Sequence, residues 1–119
     1  MIAGIEGKLE SRGPDWAIVK VGGVSFMVYM PSSTLNSLGA IGEEVKLFTH
    51  LHLREDNVAL YGFASAEELG IFEMLIGVGG VGPRVALSLL SAIGPEQLAL
   101  AIEAEDVDLL SSAPSIGKR

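Results

Sequence analysis

The hydrophobic period changes near Phe63, and this change restricts the possible folds more than any other feature of the sequence. Ahead of it, the segments "MIAGIEGKLE", "WAIVKVGG", "SFMVYMP", "EVKLFTHLHL" and "NVALYGF" are short, rich in β-branched and aromatic residues, and separated by Gly, Pro or polar turns. In the fourth, Val45, Leu47, Thr49, Leu51 and Leu53 alternate with Lys46, Phe48, His50 and His52, the spacing of a half-buried strand. The insert "SSTLNSLG" fits one helical turn. Five strands and a short helix in so few residues predict a small closed barrel of the OB type over residues 1–63.

Beyond Phe63 the spacing becomes helical. Ser65 and Glu68 have the spacing of a capping box, and Leu69, Phe72 and Ile76 follow at helical intervals, predicting a helix from about 66 to 77. Pro83 suits the first turn of a second helix with an apolar stripe of Val85, Ala86, Leu89, Leu90 and Ile93, ended by Gly94 and Pro95. Asp106 is placed to cap a short helix over "VDLLSS". The fold class expected is therefore α+β: an OB-like barrel over 1–63, then an all-helical domain over 64–119.

Composition narrows the function. With 119 residues, 49% hydrophobic, the chain can bury a core and has apolar surface to spare for self-association. There is no cysteine and no basic, apolar leader, so a cytoplasmic protein is expected. The longest uncharged run, residues 21–42, carries Pro31, Thr34, Asn36 and several Ser and Gly, so no membrane span is expected. Net charge is −7, with −2 over residues 1–64 and −5 over 65–119. A general positive field for nucleic acid is absent, and any such binding must use a few placed cations and backbone N–H groups.

The stretch "IGVGGVGPRVALSLL", residues 76–90, places Gly77, Gly79 and Gly82 as G-x-G-x-x-G. A dinucleotide site needs a strand running into the glycines and an acidic residue on the following strand. Here a helix precedes Gly77, and Glu96 and Glu103 lie in helical surroundings, so no nucleotide cofactor is expected. The pattern instead recurs: "LIGVGGVGPR", residues 75–84, aligns without gaps on "LSSAPSIGKR", residues 110–119. Val81-Gly82 falls on Ile116-Gly117, Arg84 on Arg119, and Gly80 on Ser115. Two helix, glycine turn, helix units have the layout of tandem helix-hairpin-helix motifs. Such a turn aims N–H groups and the positive end of a helix dipole at a phosphate oxygen, each contact worth ~0.3–1 kcal/mol. These contacts carry no base information, so the binding would be sequence-independent. The alternative is a pair of ordinary interhelical turns with Val81 and Ile116 plugging the core.

No catalytic site is expected. Glu55 and Asp56 are adjacent, so on extended backbone they point apart and make a poor acid and base pair. On their own, "REDN" residues are a polar hairpin turn. There is no Walker A sequence and no Ser beside an activating His in a known motif. His50 and His52 share a strand face, but no third ligand is suggested nearby, and no metal is expected.

The chain resembles the RuvA family of Holliday junction branch-migration proteins over all 119 residues. "THLHLREDNVALYGF" looks like the family's T-H-x-x-V-R-E-D-x-x-x-L-Y-G-F block, "VGGVSFMVYMP" resembles its second hairpin, and "GGVGPR" and "PSIGKR" correspond to its two glycine turns. The resemblance implies phosphate contacts at Gly80, Gly82 and Arg84 in the first turn and at Gly117, Lys118 and Arg119 in the second. It also implies that Glu55 and Asp56 form an acidic pin at the junction centre, where carboxylates repel phosphates and help separate strands. The implied partners are a four-way DNA junction, three further copies in a homotetramer or a stacked octamer, the RuvB ATPase motor and the RuvC resolvase. The DNA face is then expected to be basic around Arg84, Lys118 and Arg119. Two departures matter: Ser115 replaces a glycine, and the sequence stops inside the second turn, so a fragment without the motor-binding domain is expected. The alternatives are a helix-hairpin-helix piece of a DNA repair enzyme, which needs a catalytic Lys or Asp beyond the second turn, and an OB-type single-strand binder, which needs exposed aromatics. The seven aromatics read better as core.

Overall fold

The computed structural model describes residues 2–93, 97, 98 and 100. In chain order these form β1 (Gly4–Arg12), β2 (Trp16–Val21), β3 (Val24–Tyr29), α1 (Ser32–Ser37), β4 (Glu44–Leu53), β5 (Val58–Phe63), α2 (Ala66–Leu75) and α3 (Pro83–Ala92). The chain divides into two compact units between Leu69 and Gly70.

The five strands close into a barrel in the order β1-β2-β3-β5-β4, the OB-like architecture expected from the sequence. Every pairing is antiparallel except β3 with β5. Closure gives each strand a neighbour on both sides over part of its length, and the period-two pattern then fixes which side chains face inward. Ile5, Leu9, Ala17, Val19, Val28, Met30, Val45, Leu47 and Leu60 fill the interior, with Leu35 from α1 packed against them. Each fully buried aliphatic side chain of this kind is worth roughly 1.5–3 kcal/mol. Gly7 lies where β1 runs closest to β2: a Cβ there would overlap the Lys20 carbonyl oxygen, so a side chain would push the two strands apart. Arg12 ties α1 to the barrel, donating from Nη1 to the Leu35 carbonyl at 3.2 Å and from Nη2 to the Gly39 carbonyl at 3.0 Å. A cation is well placed there, at the C-terminal end of α1.

The alternation expected along β4 fades before its end. Val45, Leu47 and Thr49 are buried, Leu51 is half-buried, and Leu53 is 55% exposed. The cause is loss of a neighbour: β1 pairs with β4 only from Lys8↔Glu44 to Gly4↔Phe48, with a last amide bond from Thr49 to the Ala3 carbonyl at 3.0 Å. Beyond that point β4 and β5 continue as a two-stranded ribbon, through Leu53↔Val58.

Only half of the expected capping box forms. The Ser65 hydroxyl accepts the Glu68 amide at 3.2 Å, but the Glu68 carboxylate accepts the Ser33 hydroxyl of α1 at 3.2 Å. A long-range partner has taken the role assigned to a local one. The buried apolar positions of α2 are Ile71, Phe72 and Leu75, with the Glu68 side chain also buried, while Leu69 and Ile76 are half-buried. This helix ends at Leu75, two residues earlier than expected, because the amides of Gly77 and Val78 turn back to the carbonyls of Met74 and Leu75 at 3.1 and 2.9 Å. In α3 the buried residues are Ala86, Leu87, Leu89 and Leu90. Val85 and Ile93 are half-buried, so the stripe includes Leu87 and is wider than the spacing argument gave. Gly94, Pro95, Asp106 and "VDLLSS" lie outside the described residues.

Candidate nucleic-acid interface

Residues 76–83 turn the chain from α2 into α3. Val81 is 8% exposed and forms the floor of this corner, with its amide bonded to the Val78 carbonyl at 3.1 Å. The glycines around it face outward. Gly79 and Gly80 are exposed, and Gly80 has φ +85°, a left-handed conformation that costs a side-chain-bearing residue ~1–2 kcal/mol. Gly82 is the N-cap of α3 in an extended conformation, φ −91° and ψ 176°. A Cβ added at Gly79 or Gly82 would meet nothing within 4 Å. Internal packing therefore does not require glycine at these two positions, and the bare backbone leaves room for something outside to approach closely.

What that backbone presents is electropositive. Pro83 occupies the first helical position, and the bond from the Ala86 amide to the Gly82 carbonyl at 2.9 Å closes the first turn. A helix start points its first-turn amides and the positive end of its dipole outward, the geometry that receives an anion. No acidic residue sits in this turn, and the exposed side chain there is Arg84. A cation at a helix N-terminus is unfavourable to the helix by ~0.3–1 kcal/mol. The corner is thus both things the sequence allowed, a plugged interhelical turn underneath and an open glycine surface above. The segment leading into Gly77 is helix, which removes the dinucleotide reading. Gly117, Lys118 and Arg119, and with them the second turn, lie outside the described residues.

The second feature is the tip of the β4–β5 ribbon. After Leu53↔Val58 the chain reverses through a tight turn closed by the Arg54 amide on the Asn57 carbonyl at 2.8 Å. Glu55 and Asp56 stand at its apex, both exposed. Leu53 and Val58 at its root are 55% and 62% exposed. The turn therefore carries two exposed carboxylates at the end of a two-stranded ribbon.

Behind the tip lies an arrangement that sequence reasoning did not assign. His50, His52 and Arg54 recur every second residue on one face. The two imidazoles are 6.0 Å apart, and the Tyr61 ring meets His52 edge-on at 6.3 Å. Arg54 Nε donates to His52 Nε2 at 3.1 Å. Burial lowers the His52 pKa below 6.5, and the Arg54 and His50 charges push it the same way. The only sequence signal for this contact is the two-residue spacing, which says that the side chains share a strand face and no more. Among the described residues no cluster of three or more His, Asp or Glu gathers. The aromatics also divide differently from expectation. Tyr61, Phe63 and Phe72 are buried, whereas Trp16, Phe26, Tyr29 and Phe48 are half-buried, because outward strand positions of a small barrel are only partly covered. No described helix is long and apolar enough to cross a membrane.

Comparison with known proteins bears on both features. Residues 1–62 match the family model described as RuvA N terminal domain, and residues 72–119 match one described as SAM-like helix-hairpin-helix tandem. Among curated relatives, the Holliday junction branch migration complex subunit RuvA of Dehalococcoides mccartyi is 48% identical over 119 residues, all of this chain and 61% of the relative. The proteins of the same name from Herpetosiphon aurantiacus and Acetivibrio thermocellus are each 47% identical over the whole chain, covering 60% and 59% of their lengths. The chain thus spans about three-fifths of the length of the curated relatives it matches.

Proposed function

The chain belongs to the RuvA N-terminal domain family, and from that premise we propose that it binds four-way DNA junctions without regard to sequence and serves as the DNA-binding subunit of a branch-migration complex. The observation that carries this reading is the open glycine corner at the start of α3. Exposed Gly79 and Gly80, the uncapped N-terminus at Gly82 and the exposed Arg84 together suit one phosphate group. Gly80, Gly82 and Arg84 hold the backbone of one strand, and Gly117, Lys118 and Arg119 repeat the grip in the second motif. Such contacts fix position and not base identity.

Glu55 and Asp56 act in the opposite sense. Two carboxylates carried forward on a ribbon raise the energy of any duplex crossing in front of them, so the junction is held open and its strands part there. Four equal arms call for four equal surfaces, which a closed homotetramer supplies. In this arrangement the −7 net charge is no obstacle, since attraction is confined to the corners while the acidic excess sits at the pin and away from the DNA. The chain supplies binding and the pin. The energy for migration comes from the RuvB ATPase, and the opened junction is the substrate presented to a resolvase.

Light scattering with and without a synthetic four-way junction tests the proposal. The expected result is four chains, or eight in a stacked pair, on each junction. A single chain per junction at saturation would overturn it.

A further inference from the structure

The bond from Arg54 Nε to His52 Nε2, 3.1 Å long, has a chemical requirement that its neighbours on the ribbon lack. Arg54 is a permanent donor, so His52 Nε2 must carry a lone pair and the imidazole must be neutral, with its proton on Nδ1. A doubly protonated ring would turn an N–H toward an N–H, and the contact would be lost. We infer that His52 is a positioning residue for Arg54, and that Arg54, held by it at the root of the acidic turn, makes an additional phosphate contact beside Glu55 and Asp56. This rests on the junction-binding function proposed above.

The geometry supports the assignment in three ways. Period two places Arg54, just past the end of β4, on the face that carries His50 and His52, and its bond to His52 draws the guanidinium back along the ribbon. Using Nε for the histidine leaves both Nη groups to make the paired contacts that suit a phosphate. Without that bond, an exposed arginine next to Glu55 and Asp56 would swing among the carboxylates, and the order needed for such a pair would be lost. The groups facing His52 are His50 on its own strand, Arg54 at the start of the turn and Tyr61 on β5. Burial disfavours the imidazolium, and so do the neighbouring Arg54 and His50. The contact is accordingly favoured at neutral pH and opens as His52 takes up a proton, below the ordinary histidine range.

The test uses the whole chain with ¹⁵N-detected side-chain NMR and a labelled four-way junction. In the free protein at pH 7.5, Arg54 Nε–H exchanges slowly, and on acidification this protection falls together with His52 titration, at a midpoint below 6.5. His52→Gln keeps an acceptor that does not titrate, so protection persists at acid pH. His52→Phe loses protection at every pH while leaving the barrel resonances unchanged. In binding, Arg54→Ala weakens the junction complex at pH 7.5 by about threefold or more and lowers the salt slope by about 0.9, the effect of one phosphate contact. His52→Phe gives a smaller loss, and His52→Gln restores wild-type affinity. Unchanged affinity and slope in Arg54→Ala overturns this inference alone, as does fast Arg54 Nε–H exchange at pH 7.5. Failure of the wild type to prefer a junction overturns the proposed function and this inference with it.

Discussion

The β4–β5 turn and the α2–α3 corner are both short reversals between regular elements, yet they present opposite chemistry. At the first, side chains define the surface: Glu55 and Asp56 project, and the backbone closes on itself through the Arg54 amide and Asn57 carbonyl. At the second, the surface is backbone: Gly79, Gly80 and Gly82 project nothing, and the start of α3 lies bare behind them. One turn can repel a phosphate and the other can hold one. In the function proposed above, this difference is what lets an acidic chain bind DNA, since affinity depends on where a few groups face and not on the sum of charges.

If the corner works through its backbone, a side chain there should do the most damage. Gly80→Val forces a β-branched residue into φ +85°, and we expect a loss of ~1–3 kcal/mol in stability by thermal unfolding and at least about tenfold in junction affinity. Wild-type affinity in this variant would mean that the corner does not touch DNA. The acidic turn should respond in the other direction. Glu55→Gln with Asp56→Asn removes the repulsion, so junction binding is retained or tightened by up to about tenfold while motor-driven branch migration is altered. A large loss of binding would erase the distinction between the two turns.

Arg84 sharpens the comparison from the side of the cation. Arg84→Ala should weaken binding by a few-fold for all junction sequences alike and reduce the salt slope by about 0.9, both measurable by fluorescence titration at several salt concentrations. A loss that varies with sequence would argue for base contacts instead. The smallest effect belongs to pH. The folded state holds His52 neutral below its ordinary pKa, so the unfolded chain binds more protons in that range. The stability it contributes is present above pH 6.5 and is lost as pH falls through the lower folded-state value. His52→Gln should therefore flatten the dependence of denaturant midpoint on pH between 7 and 5. An unchanged slope would show that His52 is not held neutral.

Much of this was readable in the sequence because it rests on local rules. Period-two runs gave all five strands, and closure followed from their number and length. Gly, Pro and Ser65 marked the corner and the start of α2 because each has a conformational or capping preference that acts within a few residues. What escaped notice depends on distant neighbours. The alternation in β4 could not show that β1 stops pairing with it near Thr49, and so Leu53 is exposed. The spacing of Ser65 and Glu68 could not show that Ser33 would claim the carboxylate. The His52–Arg54 bond was hidden for a different reason: a spacing of two says only that side chains share a face, and the pairing depends on the directions they take in the fold.

The central claim is that exposed backbone at glycine corners grips crossed DNA strands, and competition binding tests it most directly. The labelled four-way junction is challenged in turn with unlabelled junction, duplex of equal length and single strand at near-physiological salt. We predict that unlabelled junction displaces the label at concentrations at least about a hundredfold below those of duplex or single strand, whatever the base sequence. Equal displacement by all three would contradict the account.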